Sequence, residues 1–369
     1  MGNKKIQVAV PNLSGNEKKY VVDCIDTTWI SSNGKYVNKF EEEFSNFVGA
    51  KHAIACCNGT VALHVPLIAL GVGPGDEVIV PSLTYIATAN AVKYCGATPV
   101  FADCLRDTWN IDPEDIKRKI TDKTKGIIPV HLYGNPCDMD PIMEIAEEHG
   151  LFVIEDAAEC HGAEYRGKKA GTIGTAGIFS FFGNKIITCG EGGMIISNDD
   201  ELDKHMRQLK GQGQDPNRRY WFTEVGYNYR MTNIAAAIGL GQLENINEHI
   251  NERKKVASYY FEELKGMEKY IDFQHVTKGA DSAWWMFSIL LKENVKISRD
   301  DIMLKMDEEG IETRPVFYPM HIMPVYEDKN AGCPVSEYVA SRGINLPTHA
   351  LLSREDIKYI CDTLKSIIM

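Results

Sequence analysis

The sequence predicts an α/β protein in which a large, mixed but mostly parallel sheet is followed by a smaller C-terminal α+β domain. Short apolar segments alternate with helical patterns through most of the 369 residues, a long helical pattern follows, and the remainder combines short strand-like segments with helices. Alternation of this kind is typical of parallel strands that are covered by helices on both faces. The chain length suits about two domains.

Seven short apolar segments are the predicted strands of the large sheet. They are residues 52–57, 77–81, 98–103, 126–132, 151–157, 177–182 and 192–198. Amphipathic segments at residues 60–70 and 140–149 are predicted helices between these strands.

A long helix is predicted over residues 233–265, where it would lead from the large domain to the small one. In the small domain, residues 286–291 are predicted to form a strand, residues 299–309 a helix ended by a glycine, and residues 344–347 a short extended segment. The predicted domains are residues 1–245, which include an N-terminal segment, and residues 246–369.

Composition and charge exclude several classes of function. The chain is 44% hydrophobic and 25% charged, the balance of an ordinary globular protein. Its net charge of -11 argues against a surface for nucleic acid or an acidic membrane. The N-terminus lacks the apolar core of a signal peptide and no apolar run is long enough to span a bilayer, so we expect a cytoplasmic protein. The ten cysteines form no C-x-x-C pair and no metal site is expected.

One segment of the sequence presents a lysine between two glycine-containing turns. A predicted strand ends near Ser180, the loop after it carries Lys185, and a glycine cluster at residues 190–193 turns the chain into the next strand. An enclosed lysine that loses hydration becomes a nucleophilic amine. Alone, however, this loop favours a surface lysine in a turn, which is the commonest place for this residue.

A second segment runs from an apolar strand directly into carboxylates. Because ligands in open α/β sheets bind beyond the carboxyl ends of strands, Asp156 is placed to hold a cationic ring nitrogen. The alternative is that Glu155 or Asp156 merely caps the following segment. Glu159 would face a cofactor oxygen or be solvated, and the sequence favours neither.

Two further segments follow strands. Asn58-Gly59-Thr60 opens a helix, where backbone N–H groups and the Thr60 hydroxyl would cradle a phosphate, although a plain N-cap is the more common outcome. Tyr85 would stack on a flat ring or pack in the core. The glycine-rich residues 71–75 precede their strand and therefore do not form a dinucleotide-binding fingerprint.

The order of these segments resembles the DegT/DnrJ/EryC1/StrS family of sugar aminotransferases, which depend on pyridoxal 5'-phosphate (PLP). The resemblance covers nearly the whole chain. Its motifs stand at residues 57–60, 85–90, 155–159, 180–185, 190–193 and 226–231. It implies the type I fold of PLP-dependent transferases, the aspartate aminotransferase fold.

The resemblance implies roles around the cofactor ring. Lys185 would hold PLP covalently and would be the catalytic residue that moves the proton in each half of the reaction. Asp156 would pair with the ring nitrogen, Glu159 would lie near the phenolic oxygen, and Tyr85 would stack on the ring.

The resemblance also implies how the phosphate is bound. Gly59, Thr60 and Ser180 would bind it from one subunit, and Asn228 would reach it from the neighbouring subunit. The expected active unit is therefore a homodimer with shared active sites.

Further segments resemble the members of the family that aminate C4 of a GDP-linked 4-keto-6-deoxy sugar, with glutamate as the amino donor. They are residues 29–32, 131–134, 227–233, 312–319 and 343–347. The product would enter O-antigen biosynthesis for lipopolysaccharide. The residues that would face the nucleotide sugar are Trp29, Ser31, Arg230, Arg314 and His321.

Several alternatives stay open at the level of sequence. Arg218 and Arg219 would face the nucleotide sugar or form surface ion pairs. The nucleotide could be UDP or dTDP in place of GDP. A PLP-dependent sugar dehydratase on the same fold carries histidine at the position of Lys185, and a non-catalytic regulator is expected to lose Asp156 or Lys185. The sequence keeps both residues.

Overall fold

The computed structural model of the protein describes residues 5–369. Residues 1–4, with which the predicted large domain begins, lie outside the described residues. The α-helices are α1 (Glu17–Asp26), α2 (Lys35–Val48), α3 (Gly59–Ala69), α4 (Ala87–Tyr94), α5 (Pro113–Lys119), α6 (Met139–His149), α7 (Asp200–Lys210), α8 (Asn233–Leu243), α9 (Ile246–Glu263), α10 (Arg299–Glu308), α11 (Pro334–Arg342) and α12 (Arg354–Ile368). The strands are β1 (His52–Cys56), β2 (Glu77–Pro81), β3 (Thr98–Ala102), β4 (Thr124–Ile127), β5 (Phe152–Asp156), β6 (Glu164–Tyr165), β7 (Lys168–Lys169), β8 (Ala176–Ser180), β9 (Gly193–Ser197), β10 (Ile271–Phe273), β11 (Ala280–Asp281), β12 (Phe287–Leu291), β13 (Arg314–Pro315) and β14 (Gly343–Leu346).

Seven strands form one mixed, mostly parallel sheet in the order β1-β9-β8-β5-β4-β2-β3. Each strand overlaps one of the seven segments predicted from the sequence, so these predictions and the fold class are confirmed. Neighbours from β8 to β3 are parallel, and β9 runs antiparallel to both β1 and β8. Strands β8 and β9 are buried at every position, as expected for the centre of a sheet covered on both faces.

Helices cover the two faces of this sheet because successive side chains of a strand point to opposite faces. In β5, Ile154 belongs to the core beneath α3, α4 and α7, whereas Val153 belongs to the core beneath α5 and α6. Helices α2 and α8 continue the second layer, where Phe44 packs against Phe179 with ring centroids 4.9 Å apart. No helix within residues 5–369 combines the length and the apolar surface needed to cross a membrane.

The carboxyl ends of six strands lie at one edge of the sheet. Strand β1 has the direction of β8, because both are antiparallel to the strand between them. The reversed strand β9 begins at this same edge, where Gly193 pairs with Cys56 on one side and with Ser180 on the other. The loops and helix starts that follow these strands therefore converge on one site.

The C-terminal part of the chain has its own antiparallel sheet, in the order β10-β12-β14-β13. Helices α9, α10 and α12 pack on it around a separate apolar core that includes Tyr260, Phe287, Ile302 and Ile360. The strand predicted at residues 286–291, the helix predicted at 299–309 and the extended segment at 344–347 are confirmed. The predicted boundary between residues 245 and 246 stays a prediction.

The prediction of one continuous helix over residues 233–265 was wrong. Helix α8 ends at Leu243 and α9 begins at Ile246. Asn245 between them has φ -111° and ψ 12°, outside the helical range, and asparagine is a poor helix former. Glu244 accepts hydrogen bonds from Asn16 and Tyr20 of the first helical segment, which holds the turn in place. Helix α8 is apolar on nearly all sides and α9 is amphipathic, and both patterns are compatible with a helix, so the pattern did not reveal the turn.

A buried carboxylate joins the large sheet to helix α11. Asp103, just after β3, accepts the backbone N–H groups of Val335 and Ser336 at 2.9 and 2.8 Å, and the Ser336 hydroxyl at 2.7 Å. Three donors at the first turn of a helix match the negative charge of the side chain. The helix is thereby fixed against the end of the large sheet.

Candidate active site

A cavity of about 440 Å³ lies at the carboxyl edge of the large sheet. Its walls come from the segments that follow β1, β2, β4, β5 and β8, and from β13 and β14 of the C-terminal sheet. Of the residues assigned to the cofactor from the sequence, all but one line this cavity. They are Gly59, Thr60, Tyr85, Asp156, Glu159, Ser180 and Lys185.

The alternation of β5 separates two adjacent carboxylates. Glu155 points away from the cavity and is fully buried, where it accepts the backbone N–H groups of Gly171, Ile173 and Gly174 at 2.5 to 2.8 Å. Its fourth donor is His131, whose Nε2 lies 3.0 Å from the carboxylate. The Nδ1 atom of His131 accepts the N–H of residue 137, so the ring proton is on Nε2.

Asp156 points into the cavity from the end of the same strand. Its carboxylate accepts the Thr88 hydroxyl at 2.8 Å and the Ala158 N–H at 3.2 Å. Burial raises the pKa of Asp156, because the ionised form loses hydration. A cation beside this side chain would favour the ionised carboxylate, and a protonated ring nitrogen is such a cation.

The Lys185 amine is enclosed between a carboxylate and an indole. Its Nζ lies 3.5 Å from Glu159 Oε1 and 3.9 Å from the ring centroid of Trp285, and its side chain is only 11% exposed. Glu159 is buried, and Tyr133 donates its N–H to the other oxygen at 2.8 Å. Burial raises the pKa of Glu159 to about 7, although Lys185 opposes this shift. The sequence left Glu159 either solvated or in the site, and it lies in the site.

Aromatic rings form a wall of the cavity that the sequence did not predict. Tyr85, which is 58% exposed, is followed by Phe317, Tyr133 and Trp285, with successive ring centroids 5.9, 5.3 and 6.1 Å apart. Tyr133 has a positive φ of 59°, which turns its N–H toward Glu159. These rings come from distant segments. Tyr85, Tyr133 and Phe317 lie in motifs named from the sequence, but nothing in the sequence indicated that they meet, and Trp285 lies in none of these motifs.

The cradle for a phosphate is built from close backbone contacts. A Cβ atom on Gly59 would lie 2.8 Å from the Cβ of Ser180, and one on Gly193 would lie 2.3 Å from the carbonyl oxygen of Asn58. Asn58 caps α3 by accepting the N–H of residue 61 at 3.0 Å. The start of α3 and the hydroxyl-bearing residues Thr60 and Ser180 line the same cavity, and backbone N–H groups with hydroxyls are a donor set that fits a phosphate. With Asp156 and Lys185, these residues fit PLP.

Asn228 and Arg230 do not line the cavity of their own chain. Asn228 forms an isolated bridge with Gly211, and Arg230 forms one with Cys56, close to the start of α3. Arg314 does line the cavity, from the edge strand β13. The roles of these residues stay predictions.

Three other expected sugar contacts lie outside the cavity lining. Trp29 and Ser31 are both exposed. Asn233 donates its side-chain amide to the carbonyl of Trp29 at 2.7 Å and its backbone N–H to the carbonyl of Ser31 at 2.6 Å. His321 is buried, with Nδ1 2.6 Å from the Ser82 hydroxyl and Nε2 3.1 Å from the carboxylate of residue 337.

Arg218 and Arg219 lie in an exposed loop beside aromatic rings. Arg218 stacks on Trp221 at 4.0 Å and Arg219 on Tyr220 at 4.8 Å, measured to the ring centroids. Tyr220 and Trp221 are 72% and 50% exposed. Each of these arginines lies over an aromatic ring, and a contact of either with the nucleotide sugar stays a prediction. Over the part of the chain that the structure describes, no cluster of three His, Cys, Asp or Glu side chains could hold a metal ion.

Comparisons with known proteins agree with this geometry. The model of the DegT/DnrJ/EryC1/StrS aminotransferase family matches residues 11–365. The chain is 54% identical to GDP-perosamine synthase of Caulobacter vibrioides, over 99% of both chains, and 48% identical to GDP-perosamine synthase of Escherichia coli O157:H7, over 98% of both. The crystal structure of DesI in the presence of its TDP-sugar product superposes with a TM-score of 0.92 at 31% identity, covering 99% of this chain and 93% of that one.

The raised pKa of Glu159 predicts how stability depends on pH. A group whose pKa is about 7 when folded and 4.5 when unfolded stabilises the fold fully below pH 4.5 and loses this contribution as the pH rises through 7. The free energy of unfolding of the cofactor-free protein, relative to the Glu159→Gln variant, should therefore fall by about 3 kcal/mol over this range. Urea titrations at successive pH values measure the difference. The exposed Glu144→Gln variant is the control, and a difference that is constant with pH would contradict the prediction.

Proposed function

Because the chain belongs to the DegT/DnrJ/EryC1/StrS aminotransferase family, we propose that it transfers the amino group of glutamate to C4 of GDP-4-keto-6-deoxy-mannose, forming GDP-perosamine. The protein is a PLP-dependent sugar aminotransferase. The proposal concerns which donor and which nucleotide sugar it uses.

The observation that most strongly supports amino transfer is that the enclosed amine of Lys185 and the carboxylate of Asp156 line the same cavity. When bound, PLP supplies an electron sink that stabilises negative charge on the carbon bearing the amino group. Asp156 would pair with the ring nitrogen and keep it protonated. The hydrogen bonds from Thr88 and Ala158 favour the ionised carboxylate that this pairing requires.

Proton movement falls to Lys185. Its amine would take the proton from the amino-bearing carbon in one half of the reaction and return it in the other. Glu159, 3.5 Å from the amine, and the ring of Trp285, whose centroid lies 3.9 Å from it, hold the amine in place. A sugar dehydratase is disfavoured, because Lys185 stands where those relatives carry histidine.

The GDP-linked sugar is supported by the full-length similarity to two GDP-perosamine synthases. A TDP-linked keto-sugar is the second candidate, because DesI binds a TDP-sugar product and shares the fold across nearly the whole chain. The cavity itself holds the cofactor end of the site and does not discriminate between the bases.

We further propose a homodimer in which each active site is shared. Asn228 and Arg230 lie outside the cavity of their own chain, and the exposed loop around Tyr220 and Trp221 offers apolar surface for a second subunit. The setting we propose is the cytoplasm, with GDP-perosamine supplied to the O-antigen of lipopolysaccharide.

Lys185→Ala should abolish amino transfer and the visible absorbance of the lysine-bound cofactor, because no other amine takes its place. Absorbance spectra of the purified variant and formation of 2-oxoglutarate from glutamate measure both effects. Lys168→Ala, at an exposed lysine of β7, is the matched control and should retain both. Full turnover by Lys185→Ala would refute the assignment.

The nucleotide preference is tested with GDP-, UDP- and dTDP-linked 4-keto-6-deoxy sugars offered separately with glutamate. We expect 2-oxoglutarate to form fastest with the GDP-linked sugar, because the two relatives most relevant to substrate choice are GDP-perosamine synthases. Preference for the dTDP-linked sugar would favour the second candidate, and reaction with none would argue against both.

Shared sites predict complementation between two inactive variants. Lys185→Ala lacks the reactive amine, and Asn228→Asp would set a negative charge against the phosphate of the neighbouring site. Mixed dimers contain one site with neither change, so activity should return when the two variants are denatured and refolded together. Dimers that exchange subunits without regaining activity would rule out the shared site.

A further inference from the structure

The cavity has few positive charges with which to receive an anionic substrate. Among its lining residues, all within the described part of the chain, the basic side chains are Lys185 and Arg314, against the carboxylates of Asp156, Glu159 and Glu191. Lys185 is paired with Glu159 and would be occupied by the cofactor. An amino donor such as glutamate brings further carboxylates, and a buried charge without a partner is costly. Within the same chain, Arg314 is the basic lining side chain left to neutralise them.

The backbone of Arg314 is fixed in a sheet, whereas its guanidinium has few contacts. It lies in β13, paired with Asn345 of β14, and the following Pro315 also lines the cavity. Among the described residues, its guanidinium forms an ion pair with Glu312 alone, in which Nη2 is 3.4 Å from Oε1, and the side chain is 40% exposed. A pair this long leaves most of the guanidinium donors available, and their planar fork matches a carboxylate.

Glu312 is held separately from the arginine. Its Oε2 atom accepts the backbone N–H of Val8 at 3.3 Å, while Oε1 faces Arg314. The carboxylate therefore stays beside the guanidinium whether or not the guanidinium is turned toward it. Glutamate brings a charged carboxylate to the cavity, whereas the ring of a keto-sugar is neutral. In the two halves of the reaction, the space beside Arg314 must therefore accept a charged group and a neutral group in turn.

We propose that Arg314 is the anchor for the amino donor, and that it exchanges the donor carboxylate for Glu312 when the nucleotide sugar takes the donor's place. This inference rests on the proposed function and narrows the role expected for Arg314, which was to face the nucleotide sugar. Glu312 supplies the counter-charge in the half of the reaction in which the substrate ring brings none. One arginine thereby serves two substrates of different charge.

The test uses the holoenzyme and two unreactive probes. Glutarate has the two carboxylates of glutamate but no amine, and GDP-mannose has the nucleotide and sugar but no ketone. Calorimetric titration should show that Arg314→Gln weakens glutarate binding at least about tenfold, the loss expected for charge-assisted hydrogen bonds, and leaves GDP-mannose binding within about twofold. Arg342→Gln, at an arginine of α11 that stacks on Tyr338, is the matched control and should change neither.

Glu312→Gln tests the exchange in the opposite direction. It keeps the shape of the side chain and removes the competing charge, so glutarate should bind more tightly, by up to about fivefold. Unchanged or weaker glutarate binding in this variant would overturn the proposal, and this result decides the question even if Arg314→Gln fails to fold. Weaker GDP-mannose binding with unchanged glutarate binding in Arg314→Gln would overturn it as well, since the arginine would then serve the diphosphate.

A separate measurement distinguishes this inference from the proposed function. The wild-type holoenzyme is mixed with glutamate alone, and 2-oxoglutarate is measured over one turnover. If none forms, glutamate is not the donor and the proposed function is wrong in that respect. If it forms, and glutarate binds equally to the wild type and to Arg314→Gln, the donor is correct and only the role of Arg314 is refuted.

Discussion

The site depends on a buried carboxylate that faces away from it. Near the end of β5, the carboxylate of Glu155 accepts four hydrogen bonds, three from backbone N–H groups of residues 171–174 and one from His131. Because burying a carboxylate is tolerable only when hydrogen bonds replace its hydration, the loop and the histidine are held in one arrangement. Since neighbouring side chains of a strand alternate, fixing Glu155 also fixes Asp156 toward the cavity. The orientation of Asp156 in the cavity thus follows from the hydrogen bonds of Glu155 on the opposite face of β5.

The parts of the structure that were predictable are those encoded locally. Each strand of the large sheet is a short apolar run, and the cofactor residues follow these runs directly, so position in the sequence was enough to bring Gly59, Asp156, Ser180 and Lys185 to one edge. The family resemblance added roles that spacing could not supply. Local pattern failed at residue 245, where the break between two helices is held by contacts with residues 16 and 20, far away in the sequence.

The aromatic wall was not predictable for the same reason. It requires the turn at Tyr133 to meet two segments of the C-terminal part, and these contacts depend on the folded chain. The Tyr133 hydroxyl accepts the N–H of Phe317 at 2.9 Å, and the buried Arg253 donates to the carbonyls of Trp285 and Thr348 at 3.1 and 2.7 Å. Burial lowers the pKa of Arg253 to about 10, because its charged form loses hydration. These hydrogen bonds, made outside the cavity, help to hold Trp285 beside Lys185.

The two ends of the cavity differ in whether backbone or side chains form the wall. At the end expected to hold the phosphate, Gly59 and Gly193 are packed against Ser180 and the backbone of Asn58, so a methyl group added at either glycine would clash. The opposite end is lined by side chains such as Arg314 and Phe317, which can be substituted one at a time. Substitutions aimed at other substrates are therefore better placed at the Arg314 end, because there they leave the close backbone contacts around Gly59 and Gly193 unchanged.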